Sequence, residues 1–418
     1  MLRKLKIEKF KSIYEQEVEF GSVNLFIGPN GSGKSNILEA LGVLSAALSS
    51  GIDPVTLDLR GVRLSLPHLF KSAFKHQVLG KTFRLEAHFE NGRYECSIRA
   101  GLSSTFLEFH TEALYDGEQR VFGRGPHGTR LYSVKNDVPN FNKDLVSSSR
   151  SVWSVIEPLV KISPALREEL DQFSRYAIYA PQTAIMRGMA IDQRVVEPLG
   201  LTGSGLASAL QHVISSGESG FANLMKIIWE PGWADQVMTG GYNPGIVPSH
   251  VRSEGTLLYI RDKFMRSGRD MLSAFDASEG TLYLIFVATL LAHKQTPNVF
   301  SLDNVDGTLN PALVRRLSEY LIKVISDKDS KTKRQAFMTS HHPSSLDSFD
   351  IFNPEQKIFV CSRNGGLRAS TSKVTVVGST SFSPLLPPIN TTRDEWIIRH
   401  KGKNLSELLL ADRIPGAL

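Results

Sequence analysis

Short apolar runs, some continuous and some alternating with polar residues, fill the first third of the chain and predict β-strands. The runs are Leu5–Phe10, Val23–Ile27, Thr82–Phe89, Tyr94–Ile98 and Phe106–Leu114. The second run leads directly into a glycine-rich loop. Asn-Gly at 91–92 and Asp-Gly at 116–117 favour the tight turns of β-hairpins. The pattern predicts an antiparallel sheet close in sequence to the glycine-rich loop.

The spacing of apolar residues changes to a helical period in the middle of the chain, from about residue 149 to residue 228. Apolar side chains recur there at Val152, Val155, Ile156 and Leu159, and again at Leu206, Leu210, Val213 and Ile214. Heptads are not sustained, so we expect a helical insertion and not a long coiled coil. Glycines at 232, 240, 241 and 245 then predict a mobile loop.

Strand and helix patterns alternate in the last third, which is typical of a mostly parallel sheet. Val299–Leu302 and Gln335–Met338 are predicted as strands, Leu313–Ile325 as a helix, Lys357–Cys361 as part of a hairpin, and Leu405–Leu410 as a short terminal helix. We therefore expect three lobes, namely residues 1–130 with the antiparallel sheet, 131–270 as the helical insertion, and 271–418 with the core sheet.

Composition narrows the class of protein further. Of 418 residues, 41% are hydrophobic and 22% are charged, which excludes a disordered regulator. Two cysteines exclude a disulfide framework. The longest apolar stretch, Leu282–Ala292, is far short of the roughly 20 residues of a membrane span. No signal peptide pattern opens the chain, so we expect a cytoplasmic protein without a membrane partner. The net charge of +6 slightly favours polyanionic partners, and the alternative is that it simply keeps the protein soluble.

A phosphate-binding pattern follows the second predicted strand. Its residues are Gly28, Pro29, Asn30, Gly31, Ser32, Gly33, Lys34 and Ser35, which fit GxxxxGK[ST] in full. Glycines let backbone N–H groups turn toward phosphates, Lys34 can reach the terminal phosphates, and the Ser35 hydroxyl can ligate Mg²⁺. The helix expected from Asn36 onward points its N-terminus at the anion. The alternative is a glycine-rich turn that binds nothing.

Asp303 follows the apolar run at 299–302, where a P-loop protein holds Mg²⁺ through water. Taken alone it could equally be a turn residue at a strand end.

The order of the motifs resembles that of ABC-type ATPase heads. After the phosphate loop come Ser278-Glu279-Gly280-Thr281, then 301–311 (SLDNVDGTLNP), then Thr339-Ser340-His341-His342-Pro343, while Phe10-Lys11-Ser12 stands near the start. The resemblance is to the compact SMC/RecF-like group of AAA ATPases, many of which serve bacterial anti-phage defence, OLD-type proteins included. It covers both ends of the chain and leaves about 125–275 without a motif. The implied fold is α/β, a P-loop NTPase of ABC/SMC-head type with an antiparallel β lobe and a helical insertion.

This resemblance also implies a mechanism. Two heads would pack head-to-tail around two ATP molecules with Mg²⁺, so that Ser278 and Gly280 of one head face the γ-phosphate held by the other. His341 would be the switch histidine, with His342 in its place if the register is shifted by one. The structural alternatives are a helix N-cap for Ser278 and a purely structural histidine. Gln182 is a weak candidate for the Q-loop glutamine, and a plain turn is the alternative.

One position departs from the family pattern. Asn304 stands where these ATPases usually carry the glutamate that polarises water, and an amide cannot take a proton. Either Asp306 or a water chain substitutes, or hydrolysis is slow and ATP acts mainly as a dimerising ligand.

Two basic clusters raise the hypothesis of DNA contact, namely Arg261, Lys263, Arg266 and Arg269, and Lys328, Lys331, Lys333 and Arg334. Solvated surface charge is the alternative. OLD-type relatives carry a nuclease domain, but the late carboxylates Asp347, Asp350, Glu355 and Asp394 form no close pair. A separate nuclease or toxin partner is therefore expected to supply any effector chemistry.

Two functions remain in view. The first is an ATPase whose head dimerisation and hydrolysis drive a partner effector, in anti-phage defence or in DNA transactions. The second is an ATP-locked regulatory scaffold with little turnover that holds or releases a toxic partner. A transporter subunit is disfavoured because 277–281 reads ASEGT and not LSGGQ-like. A Walker-type kinase is disfavoured because it needs no signature motif.

Overall fold

The computed structural model describes all residues except 101–104, 135–145, 193, 195, 218–231, 250, 252–254, 308, 328–332, 364–375 and 412–418. The chain divides into two compact units. The first contains Met1–Ile178, Asn298–Asp303 and Ile325–Leu418, and the second contains Tyr179–Pro297 and Asn304–Val324. These units do not coincide with the three expected lobes, because the segment from Val152 to Ile178 contributes to the hydrophobic core of the first unit.

The strands, in chain order, are β1 (Leu2–Phe10), β2 (Ile13–Glu19), β3 (Val23–Ile27), β4 (Thr82–Phe89), β5 (Gly92–Arg99), β6 (Glu108–Asp116), β7 (Gln119–Gly125), β8 (Gly128–Leu131), β9 (Ala177–Tyr179), β10 (Ala234–Gly240), β11 (Leu257–Asp262), β12 (Met271–Ser273), β13 (Val299–Leu302), β14 (Gln335–Ser340), β15 (Gln356–Arg363) and β16 (Thr380–Pro384). The α-helices are α1 (Lys34–Ser49), α2 (Pro54–Asp58), α3 (Trp153–Ile156), α4 (Pro164–Ser174), α5 (Thr183–Met186), α6 (Leu206–Ser215), α7 (Glu279–Ala292), α8 (Pro311–Ile325), α9 (Arg393–Arg399) and α10 (Leu405–Leu410). Short 3-10 turns occupy Pro67–Phe70, Glu157–Leu159 and Pro343–Ser348.

A mixed sheet in the order β16-β15-β3-β14-β13-β9 places the chemistry-bearing segments. Strands β13, β14, β3 and β15 are parallel neighbours, and β16 pairs antiparallel with β15. This confirms the predicted α/β fold with a mostly parallel core sheet. Every residue of β3, β13 and β14 is buried, as expected for strands in the interior of a parallel sheet. Because these three strands run the same way, the segments that follow them emerge at one edge.

The predicted antiparallel sheet is also present, in the order β2-β1-β4-β5-β6-β7-β8. Its apolar side chains share one core with α1 and α4, which includes Phe10, Leu85, Leu41 and Phe173. Strand β2 was not predicted, since Glu15, Gln16 and Glu17 interrupt its apolar pattern on the exposed side.

A buried carboxylate joins this sheet to the segment before α3. Glu112 accepts hydrogen bonds from Tyr94 Oη at 3.0 Å, Ser151 Oγ at 2.6 Å, Val152 N at 2.9 Å and Trp153 N at 3.3 Å. Burial raises the pKa of Glu112 although these donors oppose it. Four donors that are themselves buried therefore depend on one acceptor.

The second unit contains the antiparallel sheet β10-β11-β12 together with helices α5 to α8. The expected mobile loop over the glycines at 232–245 is therefore wrong for 234–240, which form β10 paired with β11. The strand tolerates Gly240 because it is the terminal residue. Helix α7 is apolar on all sides and almost wholly buried. Among the described residues, no helix has the length and apolar character needed to cross a membrane.

A loop carboxylate in the second unit is held by strong donors. Asp192 accepts from Arg194 N at 3.0 Å and Arg194 Nη2 at 3.1 Å, and from the Thr202 hydroxyl. Burial acts to raise the pKa of Asp192, but these hydrogen bonds outweigh it and lower the pKa to about 2.

Candidate functional site

The phosphate loop, residues 28–35, connects β3 to the N-terminus of α1. Gly28 lies against the backbone of β15, and a Cβ there would stand 2.2 Å from Cys361 O. Gly33 has φ +101°, and its Cβ would stand 2.2 Å from Thr380 Oγ1. Both positions therefore require glycine. Pro29, Asn30 and Gly31 are exposed at the crest of the loop.

The first turn of α1 is available to an anion. Gly33 occupies the N-cap position, no side chain caps the helix, and the first turn holds no acidic residue. Backbone N–H groups at a helix start carry partial positive charge and have no partner within the helix. Ser32 Oγ is buried and has no hydrogen-bond partner within the described chain. Phosphate oxygens are suitable acceptors for such groups.

Lys34 lies folded along the loop. Its Nζ donates to Gly28 O at 2.7 Å and to Pro29 O at 3.0 Å, and it lies 3.2 Å from His341 Nδ1. The side chain is buried, so the ammonium is held next to the loop carbonyls with little access to water. A charged group in such a position interacts more strongly with an anion than it would in bulk water.

Ser35, Asp303 and Thr339 meet where three parallel strands end. Ser35 Oγ donates to Asp303 Oδ2 at 3.1 Å, and Thr339 Oγ1 donates to Asp303 Oδ1 at 2.6 Å. The strand register brings them together, because Thr339 pairs with Phe26 and Leu302 pairs with Met338. Hydroxyl and carboxylate oxygens are the ligands that Mg²⁺ prefers. Thr339 was named in a motif but not expected to orient Asp303.

The two adjacent histidines have different surroundings. His341 is exposed at the end of β14 and faces Lys34 Nζ. His342 caps the 3-10 turn at Pro343–Ser348, since its Nδ1 accepts from Ser344 N at 3.2 Å. This geometry favours His341 for contact with a ligand bound at the phosphate loop, and it favours a structural role for His342.

A network of small polar side chains fixes the back of the loop. Ser12 Oγ lies 2.7 Å from Thr380 Oγ1 and accepts from Asn36 Nδ2 at 2.6 Å. Thr380 Oγ1 lies 2.9 Å from Ser32 O. Arg363 Nε donates to Gly31 O at 3.0 Å. Ser12 belongs to the Phe10-Lys11-Ser12 motif, whereas Thr380 and Arg363 carry no recognisable signal in the sequence.

Lys11 and Glu39 form an ion pair beside this network. Glu39 is buried on α1 and also pairs with Arg63. Burial lowers the pKa of Lys11 although Glu39 opposes the shift. Lys11 Nζ also lies 4.7 Å from the centre of the Phe70 ring. The pair fixes the segment that carries Ser12 to α1.

Asn304 and Asp306, expected near the site, belong to the second unit by the contacts of the chain. Asn304 is exposed and has φ +62°, in the left-handed region that asparagine tolerates better than most residues. Its carbonyl accepts from Gly307 N at 3.2 Å, so 304–307 form a tight turn directly after Asp303.

The signature residues stand at an exposed helix start in the second unit. Ser278 caps α7, with its Oγ accepting from Thr281 N at 3.2 Å, and Gly280 lies in the first turn. The N-cap geometry expected as the structural alternative is therefore present, and it leaves Ser278 and Glu279 exposed. Gln182 precedes α5 in the same unit, where it is exposed.

The residues of the phosphate loop and of the strand ends fit a nucleotide phosphate with Mg²⁺. The loop supplies N–H donors and Lys34, and Ser35 and Asp303 supply oxygen ligands beside one another. In the described part of the chain no cluster of three or more His, Cys, Asp or Glu side chains could hold a metal. A Mg²⁺ ion here would therefore also need phosphate or water oxygens, as is usual for this ion.

The remaining sequence candidates are scattered. Lys328 and Lys331 lie outside the described residues, and Lys333 lies 3.9 Å from Glu90. The four late carboxylates lie in different surroundings. Asp347 accepts from Ser406, Asp350 pairs with Arg393, Glu355 contacts Ser22 and Arg3, and Asp394 is exposed. They do not form a cluster of the kind that a metal-dependent nuclease requires.

Comparison with known proteins covers most of the chain. Residues 4–128 match a family profile described as "AAA domain". Residues 141–347 match one described as "AAA domain, putative AbiEii toxin, Type IV TA system". The DNA replication and repair protein RecF of Magnetococcus marinus is 49% identical over 49 residues, which span 12% of this chain and 13% of RecF.

Among solved structures, an SMC head bound to the C-winged helix domain of ScpA aligns over 92% of this chain and 98% of its own, with TM-score 0.52 and 16% identity. At that identity the likeness shows the fold. The SMC head domain from Thermotoga maritima aligns over 92% and 98% of the two chains, with 14% identity and TM-score 0.43.

Proposed function

We propose that this chain, which matches AAA-domain family models over residues 4–128 and 141–347 and has the fold of an SMC head, binds ATP with Mg²⁺ at the phosphate loop, hydrolyses it slowly, and dimerises head-to-tail around the nucleotide. The observation that carries the proposal is the convergence of Lys34, Ser35, Asp303 and His341 at one edge of the parallel sheet.

Each of these groups has a distinct task in the proposal. The N-terminus of α1 and Lys34 bind the phosphates, and Lys34 exchanges its bonds to Gly28 O and Pro29 O for bonds to phosphate oxygens. Ser35 and Asp303 would hold Mg²⁺ through their neighbouring hydroxyl and carboxylate oxygens. When bound, Mg²⁺ neutralises charge on the terminal phosphates. His341 lies next to Lys34, and in this proposal it contacts the terminal phosphate of ATP.

Head-to-tail dimerisation rests on the exposed start of α7. Ser278 caps this helix and Gly280 is a small residue in its first turn. Backbone N–H groups at such a helix N-terminus can approach a phosphate closely. A two-fold dimer would place this helix start opposite the phosphate loop of the other subunit, so each site would need both subunits.

Asn304 bears directly on turnover. An amide cannot act as a general base, and a general base typically contributes 10²–10⁴-fold to the rate. Slow hydrolysis would prolong the ATP-bound dimer. The same observation favours a second candidate function, an ATP-held scaffold whose dimer holds or releases a toxic partner.

The partner in either case is a separate effector protein. In this proposal the effector supplies the nuclease or toxin chemistry, and this chain supplies the ATP-dependent dimer. Anti-phage defence or a DNA transaction is the proposed setting, and DNA is a further proposed partner.

Nucleotide binding is the experiment that tests this proposal. Wild-type protein and Lys34→Ala are titrated with ATP and Mg²⁺ in a calorimeter, beside Lys81→Ala, which changes an exposed lysine on the same unit. Wild type and Lys81→Ala should bind alike, and Lys34→Ala should lose binding. Equal affinity in all three proteins would overturn the site assignment.

Dimerisation is tested separately by light scattering coupled to size exclusion. ATP should convert wild type from monomer to dimer. Gly280→Asp should still bind ATP but remain monomeric, because a carboxylate at the start of α7 repels the γ-phosphate of the facing subunit. A Gly280→Asp protein that dimerises with ATP would show that α7 does not contact the nucleotide.

A further inference from the structure

The loop between β11 and β12, residues 263–270, is an ordered projection of the second unit. Asp262 Oδ1 accepts from Phe264 N at 2.9 Å, and Asp270 Oδ1 accepts from Gly268 N at 3.0 Å. The base of the loop is closed by Asp262 N donating to Asp270 O at 2.7 Å. Both carboxylates are thus occupied in holding the loop, and Gly268 at φ +85° completes its turn.

The sheet beneath the loop is supported by a small apolar cluster. Val247, Val251 and Tyr259 form its buried part, with Met238 and Met271 packed against them. This support gives the loop a fixed base. A partner that binds the loop therefore loses less conformational entropy than it would on ordering a flexible loop.

The loop carries cations that its own carboxylates do not neutralise. Lys263, Arg266 and Arg269 are all exposed, and in the described part of the chain none of them forms an ion pair. Arg261 at the base lies 3.5 Å from Asp270. The loop therefore presents three positive side chains over seven residues.

Two large apolar side chains stand at the crest among these cations. Phe264 is 74% exposed and Met265 is 57% exposed. Lys263 Nζ lies 5.2 Å from the centre of the Phe264 ring. Two neighbouring exposed apolar side chains beside cations form a surface that a partner can cover.

We propose that this loop binds nucleic acid at an unpaired nucleotide, with one base stacked on Phe264 and the flanking phosphates bound by Lys263, Arg266 and Arg269. The inference deepens the proposed function, on which it rests for a nucleic-acid partner. It does not depend on nucleotide binding at the phosphate loop.

The chemistry favours an unpaired base over other partners. Every base offers a π-face for stacking, but bases inside a duplex already stack on both sides. A membrane surface fits less well, because two apolar side chains bury little area and stable anchoring requires more than one weak signal. The alternation of cations with a single aromatic ring matches a chain of phosphates and bases.

Fluorescence anisotropy with labelled oligonucleotides tests the assignment. The probes are an oligothymidylate of about 20 nucleotides and a duplex of equal length, each titrated between about 50 and 200 mM salt. Wild type should bind the single strand more tightly than the duplex. Phe264→Ala should weaken single-strand binding by about 5- to 160-fold, the usual effect of losing one base stack, and Phe264→Tyr should retain the binding.

The cations are tested by the salt dependence. Arg266→Ala combined with Arg269→Ala should reduce the slope of log K against log salt by about 1.4 for a single strand. The matched control is Lys75→Ala combined with Lys81→Ala, two exposed lysines of the first unit, and it should leave the slope unchanged.

Several results would overturn the inference. They are no binding of either oligonucleotide at low salt, binding that Phe264→Ala and the arginine variant leave unchanged, and binding only to vesicles containing anionic lipid. ATP binding is measured on the same samples, so that a failure of the proposed function is distinguished from a failure of this loop to bind nucleic acid.

Discussion

A substitution at Asn304, the residue after Asp303, should change the rate of ATP hydrolysis more directly than any other. Asn304→Glu introduces the carboxylate that the resemblance to ABC-type heads implies at this position. The backbone there has φ +62° and the side chain is exposed, so backbone strain is the main cost that we expect of the substitution.

Two magnitudes follow from that geometry. A left-handed conformation costs most residues about 1–2 kcal/mol relative to a residue that tolerates it, so the variant should lose about that much free energy of unfolding. A general base contributes about 10²–10⁴-fold. The strain partly opposes correct placement, so we expect a gain near the lower limit, about 10²-fold.

The assay is steady-state phosphate release with saturating ATP and Mg²⁺, with thermal unfolding measured on the same proteins. Two controls separate the carboxylate from the backbone. Asn304→Gly tolerates the left-handed conformation without a carboxylate, so it should stay slow. Asn304→Asp tolerates that conformation with a carboxylate one methylene shorter, so it should show a smaller gain.

One result would refute this reasoning. If wild type turns over at about 1 s⁻¹ or faster, as typical enzymes do, and none of the three variants changes the rate, then Asn304 does not limit hydrolysis. Asp306 or ordered water would then be the source of the base.

Three further predictions concern stability and the loop. Gly33→Ala should abolish ATP binding because its Cβ would stand 2.2 Å from Thr380 Oγ1, whereas Gly31→Ala, with φ +76° and open space, should cost only about 1 kcal/mol and retain binding, as calorimetry would show. Glu112→Ala should lower the free energy of unfolding in urea by about 3 kcal/mol or more, because it leaves four buried donors without an acceptor, and Glu112→Gln should lose clearly less. Asp192→Asn should lower the thermal stability at pH 7. Since the folded pKa of Asp192 is about 2 and the ordinary value is 3.8, the wild-type advantage should be complete above pH 3.8 and fade as the pH falls toward 2, and a constant difference across this window would contradict the assignment.

Much of the fold could be predicted because its patterns are local. Val23–Ile27, Thr82–Phe89, Val299–Leu302 and Leu405–Leu410 have the bounds that their apolar runs predicted. Each is flanked by a turn, a glycine or a cap that ends it in the sequence itself.

Strand β10 and helix α9 were missed for different reasons. Strand β10 forms where glycines predicted a loop, because pairing with β11 supplies hydrogen bonds that outweigh the weak strand propensity of its residues. Helix α9 was also not predicted, although its start at Thr392 with Glu395 is a capping box.

The phosphate loop was predicted from spacing alone, but its support was not. Thr380 lies 368 residues from Ser12 in sequence and joins it only because β16 adds to the sheet edge. No periodicity or motif marks such a contact. The roles expected for all the candidate site residues stay predictions, those of Lys34, Asp303 and His341 included.

The measurement that tests the shared-site account most directly is a mixture of two inactive variants. Lys34→Ala should not bind ATP at its own phosphate loop, and the start of α7 in Gly280→Asp should repel the ATP bound by the facing subunit. Each variant alone should therefore form no ATP-dependent dimer and hydrolyse no ATP. In a head-to-tail heterodimer one of the two sites combines an intact loop with an intact helix start. Because neither variant pairs with itself, an equal mixture should form ATP-dependent heterodimers only. Each heterodimer carries one intact site of two, so the mixture should recover about half of wild-type hydrolysis. A mixture that remains monomeric and inactive, beside a wild type that dimerises, would contradict the shared site.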